Sequence, residues 1–320
     1  MKSESGEFEV ETIDFYKAIE ILNAEYLEIF NSNEYILGKR IIKFLRLIKS
    51  FKILELSDTI KSFMTQKIVV DGSGKVNERI EFCNGKNISN SNGIVYTCIT
   101  GGYETEVKEP LLLPKELFFV ITDTPELCYG KKCTCQSIDN NVHRLGSLYQ
   151  NRFYKMHPFI FKNKYSYSMY IDGNVRVIGN IKGLFSIAHE AKTGIAMHRH
   201  NSRNCVYDEA IACVKIGAGN KEKIIEQIKR YRTEGFPSKF GLCEATIIVT
   251  DLENPVAEKI MSDWWNEFKS SESCRDQLSL SYVLWKNGYT IEDVGYLGNN
   301  LLRNPKFRIE DYGKHSLKRR

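Results

Sequence analysis

The chain has 320 residues, 42% of them hydrophobic, 12% aromatic and 27% charged, an ordinary globular balance that excludes a short peptide or a disulfide-stapled miniprotein. No run approaches the roughly 18 uncharged apolar residues needed to span a bilayer, the acidic start MKSESGEFEVETIDF lacks the pattern of a secretory leader, and nine scattered cysteines fit reduced, cytosolic thiols better than a secreted framework. The net charge of +5 divides into −7 over 1–36, +6 over 37–52 and +5 over 303–320, so the body is almost neutral and DNA or RNA is disfavoured as its main ligand.

In chain order, apolar residues first recur at three and four: Phe15, Ile19, Leu22, Tyr26 and Ile29, then Ile41, Phe44, Leu45, Ile48 and Phe51. That spacing predicts two helices hinged near 31–38, within an N-terminal helical region 1–70. In the second, Lys39, Lys43, Arg46 and Lys49 follow helical spacing opposite the apolar side. Residues 37–52 can therefore lie on an anionic membrane surface, pack on the rest of the chain or pair with another copy. A Gly-, Asn- and Ser-rich stretch, 71–92, reads as a linker. From 93 to 302 short apolar strands (93–100, 117–123, 166–172, 244–250) alternate with helical patterns (145–157, 205–216, 221–234, 255–269, 275–286), which predicts an α/β domain with a mainly parallel sheet. A basic tail, 303–320, closes the chain.

Ligands of open α/β sheets lie beyond the carboxyl ends of the strands. Thr97, Gly102 and Tyr103 at the end of the first predicted strand, and Asp123 after the second, fall on that edge; the Gly-Gly pair serves either close backbone approach to a ligand or a tight strand exit. Asp172-Gly173-Asn174 follows the third strand and can offer two oxygens to a hard divalent cation, or form an ordinary Asp-Gly turn. His200 and Arg203 precede a helix whose amino terminus attracts anions, although a solvated basic loop has the same composition. Arg152 and Lys155, three apart, share a helix face and suit diphosphate or plain solvation. Asp276 opens the last helix as a cap or as a general base. Trp264 and Trp265 are core residues or a sugar platform. Cys128, Cys133 and Cys135 lack an evident fourth partner for zinc.

Taken together, YTCITGGYE, FVITD, NRFYKMHP, YSMYIDGN, HNSRNCVYDEA, YRTEGFP, GLCEATIIV, WW and RDQLSLSYV resemble, over about 93–290, a glycosyltransferase-like family long labelled a domain of unknown function. Its members include plant proteins linked to cell-wall polysaccharide and proteins of bacterial surface-polysaccharide clusters. The resemblance implies a GT-A-like, Rossmann-type fold and transfer of a sugar from a nucleoside diphosphate, a UDP-sugar above all, to a glycan or lipid-linked acceptor, as in capsule synthesis at the inner face of a membrane. It places Asp172, Asn174 and His200 at a Mn²⁺ or Mg²⁺ ion, with Asn174 where a second aspartate often stands. Thr97, Gly102, Tyr103, Asp123, Arg152, Lys155, Arg203, Arg275 and Gln277 would bind the nucleotide sugar, and Asp276 and Glu209 would be catalytic. A metal-dependent nucleotidyl- or phosphotransferase, or a non-catalytic scaffold, is the alternative.

Overall fold

The computed structural model describes residues 92–310; the expected helices, linker and basic segment before residue 92 lie outside them. Residues 92–301 and 306–310 belong to one compact unit. Its centre is a seven-stranded sheet in the order β3-β2-β1-β4-β7-β6-β8, formed by β1 (Gly93–Ile99), β2 (Phe118–Thr122), β3 (Thr134–Ser137), β4 (Tyr167–Ile171), β6 (Ile195–Arg199), β7 (Cys243–Asp251) and β8 (Gly295–Tyr296). All run parallel except β7, which is antiparallel to both β4 and β6. The expected α/β architecture with a mainly parallel sheet is therefore present.

Every residue of β1 and β4 is buried, as two covered faces require. Alternation sends Ile94, Tyr96 and Cys98 to one face and Val95 and Ile99 to the other. The first face is covered by α2 (Ser147–Met156), α4 (Val206–Lys215), α5 (Lys221–Thr233), α6 (Pro255–Ser271) and α7 (Gln277–Lys286); a short α1 (Asn140–His143) precedes α2. The second carries α3 (Lys182–Glu190) and a two-stranded ribbon of β5 (Val175–Val177) with β9 (Phe307–Ile309). Trp264 and Trp265 belong to the first core, 0% and 8% exposed, which settles them as packing residues.

One boundary differs from expectation. β9 uses residues of the expected basic tail and pairs with β5, because Phe307 is an apolar residue with a core to enter. Three bases are neutralised around the buried Glu310: Arg176 and Lys108 at 2.9 and 3.5 Å, and Arg308 in closer contact. The folded part thus runs past 302. Among the described residues no helix is long and apolar enough to cross a membrane.

Candidate functional site

The parallel strands β1, β2 and β4 are followed directly by Thr100, Asp123 and Asp172, and antiparallel β7 begins at the same edge with Cys243 and Glu244. A cleft of about 350 Å³ opens there. Of the residues expected at the site, Tyr103, Arg152, Lys155, Asp172, Asn174, Arg275, Asp276 and Gln277 line it. Thr97, Gly102, Asp123, His200, Arg203 and Glu209 do not.

The centre of the cleft is a charge cluster that joins three elements. Arg152 and Lys155 share one face of α2, and Asp276 stands at the start of α7. Lys155 Nζ lies 2.7 Å from Asp276 Oδ2 and 3.5 Å from Asp172 Oδ1, and Arg152 Nε lies 3.0 Å from Asp276 Oδ2. The Lys155 side chain is 2% exposed and its ammonium sits 5.3 Å from the centre of the Tyr170 ring, an arrangement in which ring and carboxylates replace lost water. Asp276 makes no side-chain cap to its own helix. Burial alone would raise its carboxyl, but Arg152, Lys155 and Arg275 hold it well below the usual carboxylate range. A carboxylate so held is a weak proton acceptor and a strong anchor for cations. For Arg152 burial opposes the charge, while Asp276 and Asp172 raise its affinity for the proton still further.

Asp172 is fixed from three sides. Its backbone N–H donates to Thr246 O at 3.0 Å, its Oδ1 accepts from the Tyr170 hydroxyl at 3.0 Å, and Lys155 faces the same oxygen. Gly173 is required beside it: a Cβ there would stand 2.9 Å from Glu104 Cγ. Gly101 adopts φ +67°, and its N–H donates to Asp123 Oδ2 at 2.7 Å, so Asp123 ties the turn after β1 instead of entering the cleft. Thr97 is 2% exposed within β1, and Gly102 is an exposed turn residue at φ +62°.

The second expected cluster lies behind the first. Glu209 is 3% exposed, pairs with Arg203, and has Arg275 at 3.9 Å and His200 Nε2 at 3.6 Å. His200 Nδ1 accepts from the backbone N–H groups of Ser202 and Arg203 at 3.3 and 3.1 Å. Nε2 lies 3.3 Å from the Arg203 guanidinium and 3.6 Å from Glu209; burial pushes the imidazole below its usual value despite Glu209. Glu209 thereby holds Arg275, which reaches the cleft, while Arg199 donates to the Ile291 and Val294 carbonyls at 2.6 and 3.0 Å and serves the fold.

The expected divalent-ion ligands are not gathered. Asp172 and Asn174 line the cleft, whereas His200 is occupied by backbone donors and Glu209. Among the described residues no group of three or more His, Cys, Asp or Glu side chains could hold a metal ion. Arg152 Nε is engaged by Asp276, and Arg275 Nε, also buried, makes no hydrogen bond.

Glu244 and Asn151 also line the cleft and were given no role from the sequence. Burial raises the Glu244 carboxyl above its usual value, and the nearby Asp172 charge adds to this, against a hydrogen bond from the Thr246 hydroxyl at 2.7 Å. Asn151 donates to Cys98 O at 2.6 Å and accepts from Arg152, orienting that guanidinium. The signal for Glu244 was present, a lone acid opening the apolar run CEATIIVT, but only an antiparallel β7 brings it to this edge.

A family model described as TOD1/MUCI70, glycosyltransferase-like domain, matches residues 154–294. This span holds Lys155, Asp172, Glu209, Glu244 and Asp276, and the match bears out the resemblance drawn from the motifs. No curated protein matches the chain in sequence. Among solved structures, the bifunctional glycosyltransferase WbbM is 13% identical, with 67% of this chain and 40% of that one covered and a TM-score of 0.40. The mannosyltransferase Ktr4p from S. cerevisiae is 14% identical, with 70% and 72% covered and a TM-score of 0.36. Mouse xyloside xylosyltransferase 1 is 10% identical, with 62% and 83% covered and a TM-score of 0.39. The chain thus spans about two fifths of the length of WbbM.

Proposed function

We propose that this chain is a glycosyltransferase that binds a nucleoside-diphosphate sugar in the cleft at the β1/β4/β7 edge and passes the sugar to a glycan or lipid-linked acceptor. The observation that carries this reading is the convergence of Arg152, Lys155 and Arg275 on the single buried carboxylate of Asp276. Such a cluster sets three cations, among the four acids of the cleft lining, in a concave, partly desolvated place, where guanidinium and ammonium donors favour a diphosphate leaving group as negative charge grows on it. The glycosyltransferase-like domain match supports the class of reaction.

In this reading the guanidinium forks take diphosphate oxygens, Asn151 and Asp276 hold Arg152 at its angle, and Glu209 holds Arg275 from behind. Asp172 and Asn174 face the donor sugar, and Glu244 lines the same cleft near enough to feel the Asp172 charge. A uridine nucleotide is the proposed donor base, and an acceptor of surface polysaccharide at the inner membrane face is the proposed setting. Thermal-shift binding of a nucleotide-sugar panel, followed by slow donor hydrolysis, tests the assignment. Release of free nucleoside diphosphate is expected. Pyrophosphate or a phosphorylated product would replace the proposal with a nucleotidyl- or phosphotransferase, and indifference to every nucleotide sugar would sink both.

A further inference from the structure

We propose that Lys155 stands in for a divalent cation at this site: its ammonium joins the donor's diphosphate to Asp172, and the chain binds that diphosphate without Mn²⁺ or Mg²⁺. This rests on the proposed function and adds the nature of its counter-charge.

The placement of Lys155 is the first reason. The residue sits on α2, lines the cleft and is buried to 2% exposure, with Nζ 3.5 Å from Asp172 Oδ1 and 2.7 Å from Asp276 Oδ2. An ammonium so enclosed has surrendered its water and is fixed by two carboxylates and an aromatic face, so it behaves as a resident cation with little freedom to leave. A divalent ion taken up by Asp172 would have to settle beside this charge in a partly desolvated cleft, where like charges repel strongly.

The ligand chemistry is the second. A hard divalent ion asks for six or more oxygen donors, several of them anionic. Of the expected set, Asp172 has one oxygen engaged by Tyr170 and Lys155, Asn174 offers a neutral amide oxygen, and His200 has its Nδ1 filled by backbone N–H groups. The cations that line the cleft with Lys155 are Arg152 and Arg275. Their guanidinium groups are planar forks suited to phosphate oxygens, the partners a metal would otherwise take.

The test uses the full chain with uridine diphosphate and guanosine diphosphate as probes, titrated calorimetrically after EDTA treatment and again with excess Mn²⁺ or Mg²⁺. The expected result is a Kd that agrees within about twofold across the three conditions, and a Lys155→Met variant that binds about tenfold or more weakly in EDTA while keeping the parent's far-UV spectrum. Binding that appears only with metal, or strengthens about tenfold with it, would overturn the proposal while leaving the glycosyltransferase reading intact. Unchanged affinity in a folded Lys155→Met protein would overturn it too. If that variant fails to fold, the EDTA arm on the parent protein decides alone. Failure of both nucleotides to bind under every condition would overturn this proposal and the proposed function together.

Discussion

Asp276 has two of its three cations within 3.0 Å, Lys155 and Arg152, on one carboxylate oxygen. Each of those cations would be costly to bury alone, so the carboxylate is what makes their burial tolerable. Asp276→Asn leaves the bulk in place and removes the charge. It is expected to cost about 3–5 kcal/mol of stability, the usual loss when one partner of a buried ion pair is deleted, and to slow transfer about 100-fold through misplacement of Arg152 and Lys155. The sign of its pH dependence follows from a folded-state pKa held below the unfolded one. The stabilisation is complete above the unfolded carboxylate value of about 3.9 and is lost as pH falls further toward the folded value. Urea midpoints of parent and variant should therefore differ by a constant amount near neutrality and converge only in strong acid. A gap that closes near neutral pH would mean that other groups carry the difference.

At the scale of elements, the helices with clear 3.6 periodicity were legible in the sequence, and so were the strands made of uninterrupted apolar runs. α2, α4, α5, α6 and α7 and strands β1, β2, β4 and β7 all lie where the pattern puts them. The edge pieces β3, β5, β8 and β9 were not legible, being two to four residues long, too short for a period to register. β6 was hidden because IAMHR carries a histidine and an arginine that read as loop chemistry; His198 is in fact 0% exposed. The direction of β7 was illegible for a different reason: pairing sense is a property of the whole sheet and leaves no local mark.

That direction matters for function, since it delivers Glu244 to the cleft. A half-buried acid whose folded pKa is raised loses stability as pH climbs from the unfolded value of about 4.3 through the folded one. Glu244→Gln should therefore be more stable than the parent at neutral pH and equal to it in acid, and should transfer sugar more slowly. Thermal midpoints across pH, paired with turnover, check this. A variant that is less stable at neutral pH would show that the ionised carboxylate has a partner worth more than its burial costs.

For the molecule as a whole, acid sensitivity is expected to draw on His198, which does not line the cleft but stands opposite Glu244 in the β6/β7 ladder. His198 lies inside β6, where the ladder with β7 shifts register, and its ring is 6.1 Å from that of Phe307 on β9. It therefore sits where the sheet meets the ribbon that covers it, and ionising it in place would put a charge into that junction. Burial pushes its pKa down to about 3, whereas the unfolded chain takes up the proton near the ordinary value of about 6.5. Between those values the unfolded state binds a proton that the folded state refuses, so stability falls as pH drops, by up to about 1.4 kcal/mol per pH unit. This window lies above the one in which Asp276 loses its contribution, so the two effects separate on a single pH series. His198→Leu keeps an apolar side chain in the pocket and removes the titration. Its urea midpoint should vary less between about pH 6.5 and 4 than the parent's, even where its stability at neutral pH is lower. An identical slope in both proteins would place the acid sensitivity elsewhere, in the carboxylates of the ion-pair network.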